Sequence, residues 1–97
     1  MKIDKVNLHK EIVLDLNKLY KDKNSDYGDS FKRVRDKYPN AILIRLEDKL
    51  SRLETLLGGQ TQKVKDESIR DTLVDLANYS ILEIIEMDIE RHKNDYL

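Results

Sequence analysis

Arg45, Asp48, Lys49 and Arg52 fall on one side of a helical stretch, and Glu67, Asp71 and Asp75 gather along one side of another, with Asn78 beside them. Cations at such spacing can meet phosphate oxygens, arginine as a two-pronged donor and lysine as a point charge, with Asp48 steadying them. The same face also reads as a solvated surface, because Asp48 and Arg52 are four apart and can pair within the helix for about 0.2 to 0.5 kcal/mol. Three carboxylates at successive four-residue steps repel one another, so something is expected to compensate them. A divalent cation does so, and an oxygen-only set without Cys or His suits Mg²⁺ or Mn²⁺. Neutralisation by Lys63, Lys65 or Arg70 is the alternative. The stretch Asp26 to Phe31 is a third feature: Tyr27 can stack on a base while backbone N–H groups after Gly28 meet an anion, or the stretch is simply a capped turn.

The elements that must carry these residues are helices. Three glycines and one proline in a chain that is 38% charged argue against a sheet protein, and apolar residues recur at helical spacing through most of the chain. A first helix is expected from Asp4 to Lys21, with Val6, Ile12, Val13, Leu16, Leu19 and Tyr20 on its apolar side. A polar break then runs to Ser30, where Gly28 supplies a turn and Asp29 or Ser30 caps the next helix. That helix is short, Ser30 to Lys37, because Pro39 drives Tyr38 toward extended geometry. A third starts near Asn40 and stops at Gly58-Gly59. After a polar link, Asp66 caps a fourth and longest helix running to His92.

Leu43, Leu46, Leu50, Leu53 and Leu57 form a narrow stripe that reads as a core seam or a coiled-coil-like contact, and Ile69, Leu73, Leu76, Ser80, Ile84 and Met87 form another. Beyond Asn78 the last helix is apolar on nearly every side, which means burial on every side. The expectation is an all-α single domain over residues 1–97: a small bundle of about four helices whose two long antiparallel helices form the core and the oligomer contact. A chain of 97 residues hides only about two-thirds of its extended surface, so a homo-oligomer, dimeric or higher, is expected.

Bulk properties narrow the chemistry. Eighteen Lys and Arg against nineteen Asp and Glu give a net charge of -1 and no general field toward nucleic acid or membrane. The lack of cysteine excludes disulfides and thiolate zinc sites, and His9 and His92 are far apart. The N-terminal stretch lacks the apolar run of a signal peptide, and no run of about eighteen apolar residues occurs. A cytoplasmic protein is expected.

In order and spacing, KNSDYGDSF, RLEDKLSRL and VKDESIRDTLVDLANY resemble the phage nucleotide-modification-associated domain family, type one, over Leu16 to Glu86. Such proteins occur mainly in phages and prophages and are regarded as binding or acting on nucleotides. A more distant similarity is to the MazG-like all-α nucleoside triphosphate pyrophosphatases, which hold Mg²⁺ between a Glu-x-x-Glu pair and a Glu-x-x-Asp pair. By that similarity Glu67, Asp71 and Asp75 correspond to the second pair, at spacing four rather than three. The first pair has no match, since Leu50 stands three after Glu47.

Three functions remain open. In a Mg²⁺-dependent hydrolase, Glu67, Asp71 and Asp75 hold the metal, Lys49 and Arg52 stabilise the phosphates, and a nucleoside triphosphate is cut to monophosphate and pyrophosphate. A non-catalytic sponge uses the same cations and Tyr27 to sequester a nucleotide signal of host anti-phage defence. In a helical interaction module the charged faces pair with each other and no small ligand binds.

Overall fold

The computed structural model describes residues 2–27, 29–59 and 63–93, with side chains at 25–27 and 63–66 left aside. Among these residues the regular structure is helical, in the order α1 (Lys5–Tyr27), α2 (Ser30–Lys37), α3 (Ala41–Leu57) and α4 (Lys63–His92). The fold is a small all-α bundle. The chain divides into two compact units, Met1–Ser30 and Phe31–Leu97.

The first unit is essentially α1. Asp4 caps it, its carboxylate accepting a hydrogen bond from the Asn7 backbone N–H at 3.1 Å, and Asn7 in turn donates from Nδ2 to Glu11. Of the apolar side expected for this helix, Leu16 is buried and Leu19 and Tyr20 are half-buried, while Val6, Ile12 and Val13 are exposed. The helix runs six residues beyond the expected Lys21, through Asp22 to Tyr27. None of those residues is Gly or Pro, and Lys, Asp, Asn and Ser each cost well under about 1 kcal/mol in a helix. The expected turn at Gly28 lies outside the described residues.

In the second unit, α2 ends before the Tyr38-Pro39-Asn40 turn as the proline requires, with the Tyr38 N–H still donating to Val34 O at 2.8 Å. Asn40 stands at the N-cap of α3, without a side-chain capping bond. α3 closes at Gly58, whose N–H donates to Thr55 O, and Gly59 takes the positive φ of 129° that an L side chain resists. α4 begins at Lys63, so the expected cap, Asp66, lies inside the helix. The polar link thereby contracts.

α3 and α4 are antiparallel. As partners on α3 step back from Arg52 to Lys49 to Arg45, those on α4 advance from Thr72 to Asp75 to Tyr79. α2 runs the same way as α4, since Phe31 meets Tyr79 and Arg35 meets Glu83 one turn further along both helices. A three-helix node results, in which the Phe31 and Tyr79 rings stack with centroids 6.4 Å apart and the Arg45 guanidinium lies 5.2 Å from each.

The leucine stripe of α3 does not form the internal seam expected of it. Leu46 and Leu53 are half-buried, but Leu43, Leu50 and Leu57 are 57%, 49% and 64% exposed. The side of α3 that meets α4 instead carries Arg45, Lys49 and Arg52, whose partners are Tyr79, Asp75 and Thr72. On α4 the expected apolar stripe is split, with Ile69 and Leu76 half-buried but Leu73, Ser80, Ile84 and Met87 exposed, while Thr72 and Glu86 are buried.

Candidate functional site

Facing α3 at the antiparallel junction, α4 presents Ser68, Thr72 and Asp75 on successive turns. Thr72 is 2% exposed, and its hydroxyl is fully used: Oγ1 donates to the Ser68 carbonyl at 2.7 Å and accepts from Arg52 Nε at 3.3 Å. A helical threonine commonly satisfies its hydroxyl on the carbonyl four residues back. Here that bond also aims a lone pair at α3. One nitrogen of Arg52 is thus fixed by a buried hydroxyl, and the rest of its five-donor fork remains for other partners.

One turn along, Lys49 Nζ lies 3.1 Å from Asp75 Oδ2, with both side chains about one-quarter to one-third exposed at 24% and 32%. The charge that meets Asp75, one carboxylate of the acidic stripe of α4, therefore comes from α3, and the side chains of Lys63 and Lys65 lie outside those described. Between the helices lies a cavity of about 330 Å³, lined by Asp48, Lys49 and Arg52 from α3 and by Ser68, Asp71, Thr72 and Asp75 from α4. A second, shallower hollow of about 310 Å³ shares Asp48 and Arg52 and continues along α3 to Ser51, Thr55 and Leu56. The first volume is at the lower end of those that hold small ligands, about 300 to 1,000 Å³.

Five residues chosen from the sequence, Asp48, Lys49, Arg52, Asp71 and Asp75, meet in that one cavity. Three others, Glu67, Arg45 and Asn78, are not among its lining residues. Glu67 is exposed, because each four-residue step overshoots a helical turn by about 40° and the acidic row spirals away from α3 at its beginning. Asn78 is half-buried on the flank of α4, Arg45 is held between the rings of Phe31 and Tyr79, and the Tyr27 side chain lies outside those described. Ser68 and Thr72 are additions that sequence reading missed. Their signal is a pair of small hydroxyls four apart on the side of the helix that also carries Asp75.

No group of three or more His, Cys, Asp or Glu side chains among the described residues is close enough to hold a metal ion by itself. Asp75 is bonded to Lys49, which leaves Asp48 and Asp71 as the cavity carboxylates without a bonded partner among the described residues. Mg²⁺ ordinarily takes one or two carboxylates and completes its shell with water and phosphate oxygens, so the donor set fits a cation that arrives with a phosphorylated ligand. The cavity carries three carboxylates against one ammonium and one guanidinium.

A family model described as nucleotide modification associated domain 1 matches residues 23–87, two-thirds of the chain and the whole of α2 and α3. The chain belongs to this family. The nucleotide modification associated domain here takes in every residue that lines the cavity, together with the node of Phe31, Arg45 and Tyr79. No curated protein and no solved structure matches the chain significantly. Among the described residues, no helix is long and apolar enough to cross a membrane.

At the opposite end of the α2–α4 contact, Arg35 is held by two carboxylates. Its Nε donates to both Glu83 oxygens at 3.1 and 3.2 Å, one terminal nitrogen donates to Glu83 Oε2 at 3.1 Å, and the other pairs with Glu90. The Glu90 and Glu83 bonds raise the Arg35 pKa further above its ordinary value. The same guanidinium, mainly through its hydrogen bond, holds the Glu90 carboxyl below the usual range.

Proposed function

We propose that the chain binds a nucleotide, with its phosphates in the α3–α4 cavity. The observation that carries this reading is the meeting of Lys49 and Arg52 with uncompensated carboxylates in a space of about 330 Å³, inside a domain whose family description is nucleotide modification. Arg52, oriented by Thr72, offers paired donors to a phosphate, and Lys49 adds a point charge after sharing or releasing Asp75. Asp71 and Asp48 hold Mg²⁺ that comes in with the phosphates. When bound, the metal neutralises phosphate charge and makes coordinated water more acidic.

Two uses of such a site differ in outcome. One is hydrolysis of a nucleoside triphosphate to the monophosphate and pyrophosphate; the other is sequestration of an intact nucleotide, including a signal of anti-phage defence. The Lys49–Asp75 bond favours sequestration, since it matches one carboxylate with a cation and leaves fewer for a hydrolytic metal centre. Incubating pure protein with a panel of linear and cyclic nucleotides and Mg²⁺ separates them. Pyrophosphate release establishes the hydrolase, and recovery of intact, tightly held ligand after denaturation establishes the sponge. Failure of every nucleotide to bind, with or without Mg²⁺, overturns the proposal in favour of an interaction module.

A further inference from the structure

The α3–α4 cavity does not end at Arg52. The neighbouring hollow of about 310 Å³ begins on the same Asp48 and Arg52 and follows α3 past Ser51 to Thr55 and Leu56. Among the described residues its charged lining is shared with the cavity, and what it adds is two hydroxyls and one apolar side chain. The Thr55 hydroxyl donates to the Ser51 carbonyl at 3.2 Å, so its proton is committed and it offers only lone pairs to anything in the hollow. A phosphate oxygen, itself an acceptor, gains nothing from Thr55, nor from half-buried Leu56. Sugar hydroxyls and base N–H groups donate, and the rings that carry them have apolar surface to lay on a leucine.

Along α3 the lining thus changes character in one direction. Lys49 and Arg52 stand at one end and Thr55 and Leu56 at the other, and Lys49 to Leu56 spans about 10 Å of helix axis. One turn beyond Lys49 the row closes, because Arg45 is already held between the rings of Phe31 and Tyr79, 5.2 Å from each. On the reading that phosphates occupy the α3–α4 cavity, on which this inference rests, we propose that the second hollow is a nucleoside subsite. The ligand is then a linear nucleoside polyphosphate lying along α3, its phosphates toward Lys49 and its nucleoside toward Thr55, with Arg52 gripping the phosphate nearest the sugar. A cyclic dinucleotide carries nucleosides on both sides of its phosphates and fits this one-ended lining poorly.

Calorimetric titration of the full chain in Mg²⁺ tests it with inorganic tripolyphosphate, which reaches only the phosphate site, and with α,β-imido analogues of the common nucleoside triphosphates, which resist cleavage to the monophosphate. At least one analogue is expected to bind about tenfold or more tighter than tripolyphosphate and than cyclic dinucleotides. Thr55→Val keeps the shape of an exposed side chain and removes its hydroxyl, and should weaken that analogue about fivefold. Ser51→Trp fills the hollow with an indole and should weaken it about tenfold or more, while both variants hold tripolyphosphate within about twofold of wild type. Equal affinity of the wild type for tripolyphosphate and every analogue overturns the nucleoside subsite and leaves the phosphate site standing, as does an analogue whose affinity ignores both substitutions. A cyclic dinucleotide bound more tightly than every linear analogue overturns the linear class. If no probe binds, the phosphate site itself is overturned, and the subsite with it.

Discussion

α4 makes two charged junctions with its neighbours, and they are built on opposite principles. At Arg35 all three guanidinium nitrogens are bonded, to both oxygens of Glu83 and to Glu90, and Arg35 and Glu83 are only 15% and 17% exposed. At Lys49 and Arg52 each cation has a single anchoring contact among the described residues, and a cavity with two carboxylates unbonded among them opens between the helices. A saturated junction holds helices together. An unsaturated one keeps charge in reserve for something else, so the two should respond differently when a charge is removed.

The largest expected effect lies at the unsaturated junction. Lys49→Ala or Arg52→Ala removes a charge-assisted hydrogen bond to phosphate worth about 1.5 to 3 kcal/mol, which weakens nucleotide binding by about 10- to 100-fold. The melting temperature should stay close to wild type or rise, because sites kept for a ligand are rarely optimal for stability. Asp71→Asn should abolish the gain in affinity on adding Mg²⁺ while preserving the fold. Calorimetric titration with and without the metal checks all three. If Lys49→Ala combined with Asp71→Ala lowers the melting temperature sharply and no ligand binds, the junction is an ion-pair lock and the contrast collapses.

A smaller effect, with the opposite signature, is expected at Arg35. Arg35→Met leaves Glu83 without a partner at 17% exposure, which costs about 2 kcal/mol and lowers the melting temperature by roughly 10 °C. Nucleotide affinity measured well below that temperature should change less than about twofold. A comparable loss of affinity would mean that the two junctions are coupled along α4.

Much of this organisation was legible beforehand, and the failures have a common physical cause. The bounds of α2 and α3 follow from Pro39 and Gly58-Gly59, which act on the backbone wherever they occur. The extra turns of α1 and α4 were missed because a lack of apolar periodicity was taken for a lack of helix, and periodicity reports burial rather than backbone state. Facing was the harder matter. The leucine stripe of α3 announces an apolar contact but not its partner, and α4 turned out to meet the arc carrying Arg45 and Lys49. That is why five of the nine chosen polar residues converge, and why the buried hydroxyl of Thr72 became visible only once α3 lay against it. Arg35 gave no local sign, as its partners lie 48 and 55 positions away.

The smallest expected effect separates the junctions by pH. Glu90 has its carboxyl held down by Arg35, so the folded chain binds that proton less readily than the unfolded chain. The stability this contributes is complete above the ordinary glutamate range, near pH 4.3, and is lost as the pH falls through the lowered value in the folded state. Because Glu90 is solvent-exposed, screening keeps the contribution small, and added salt should shrink it further. Carboxyl titration followed by NMR should give Glu90 a midpoint below that of an unpaired glutamate, returning to the ordinary range in Arg35→Met. The cavity should respond to ligand instead: the backbone amide resonance of Asp71 should move when nucleotide and Mg²⁺ are added and should stay in place on the loss of Arg35. If Glu90 titrates normally in the wild type, the clamp is not formed in solution, and the saturated half of the comparison fails on its own, leaving the cavity to be judged by binding alone.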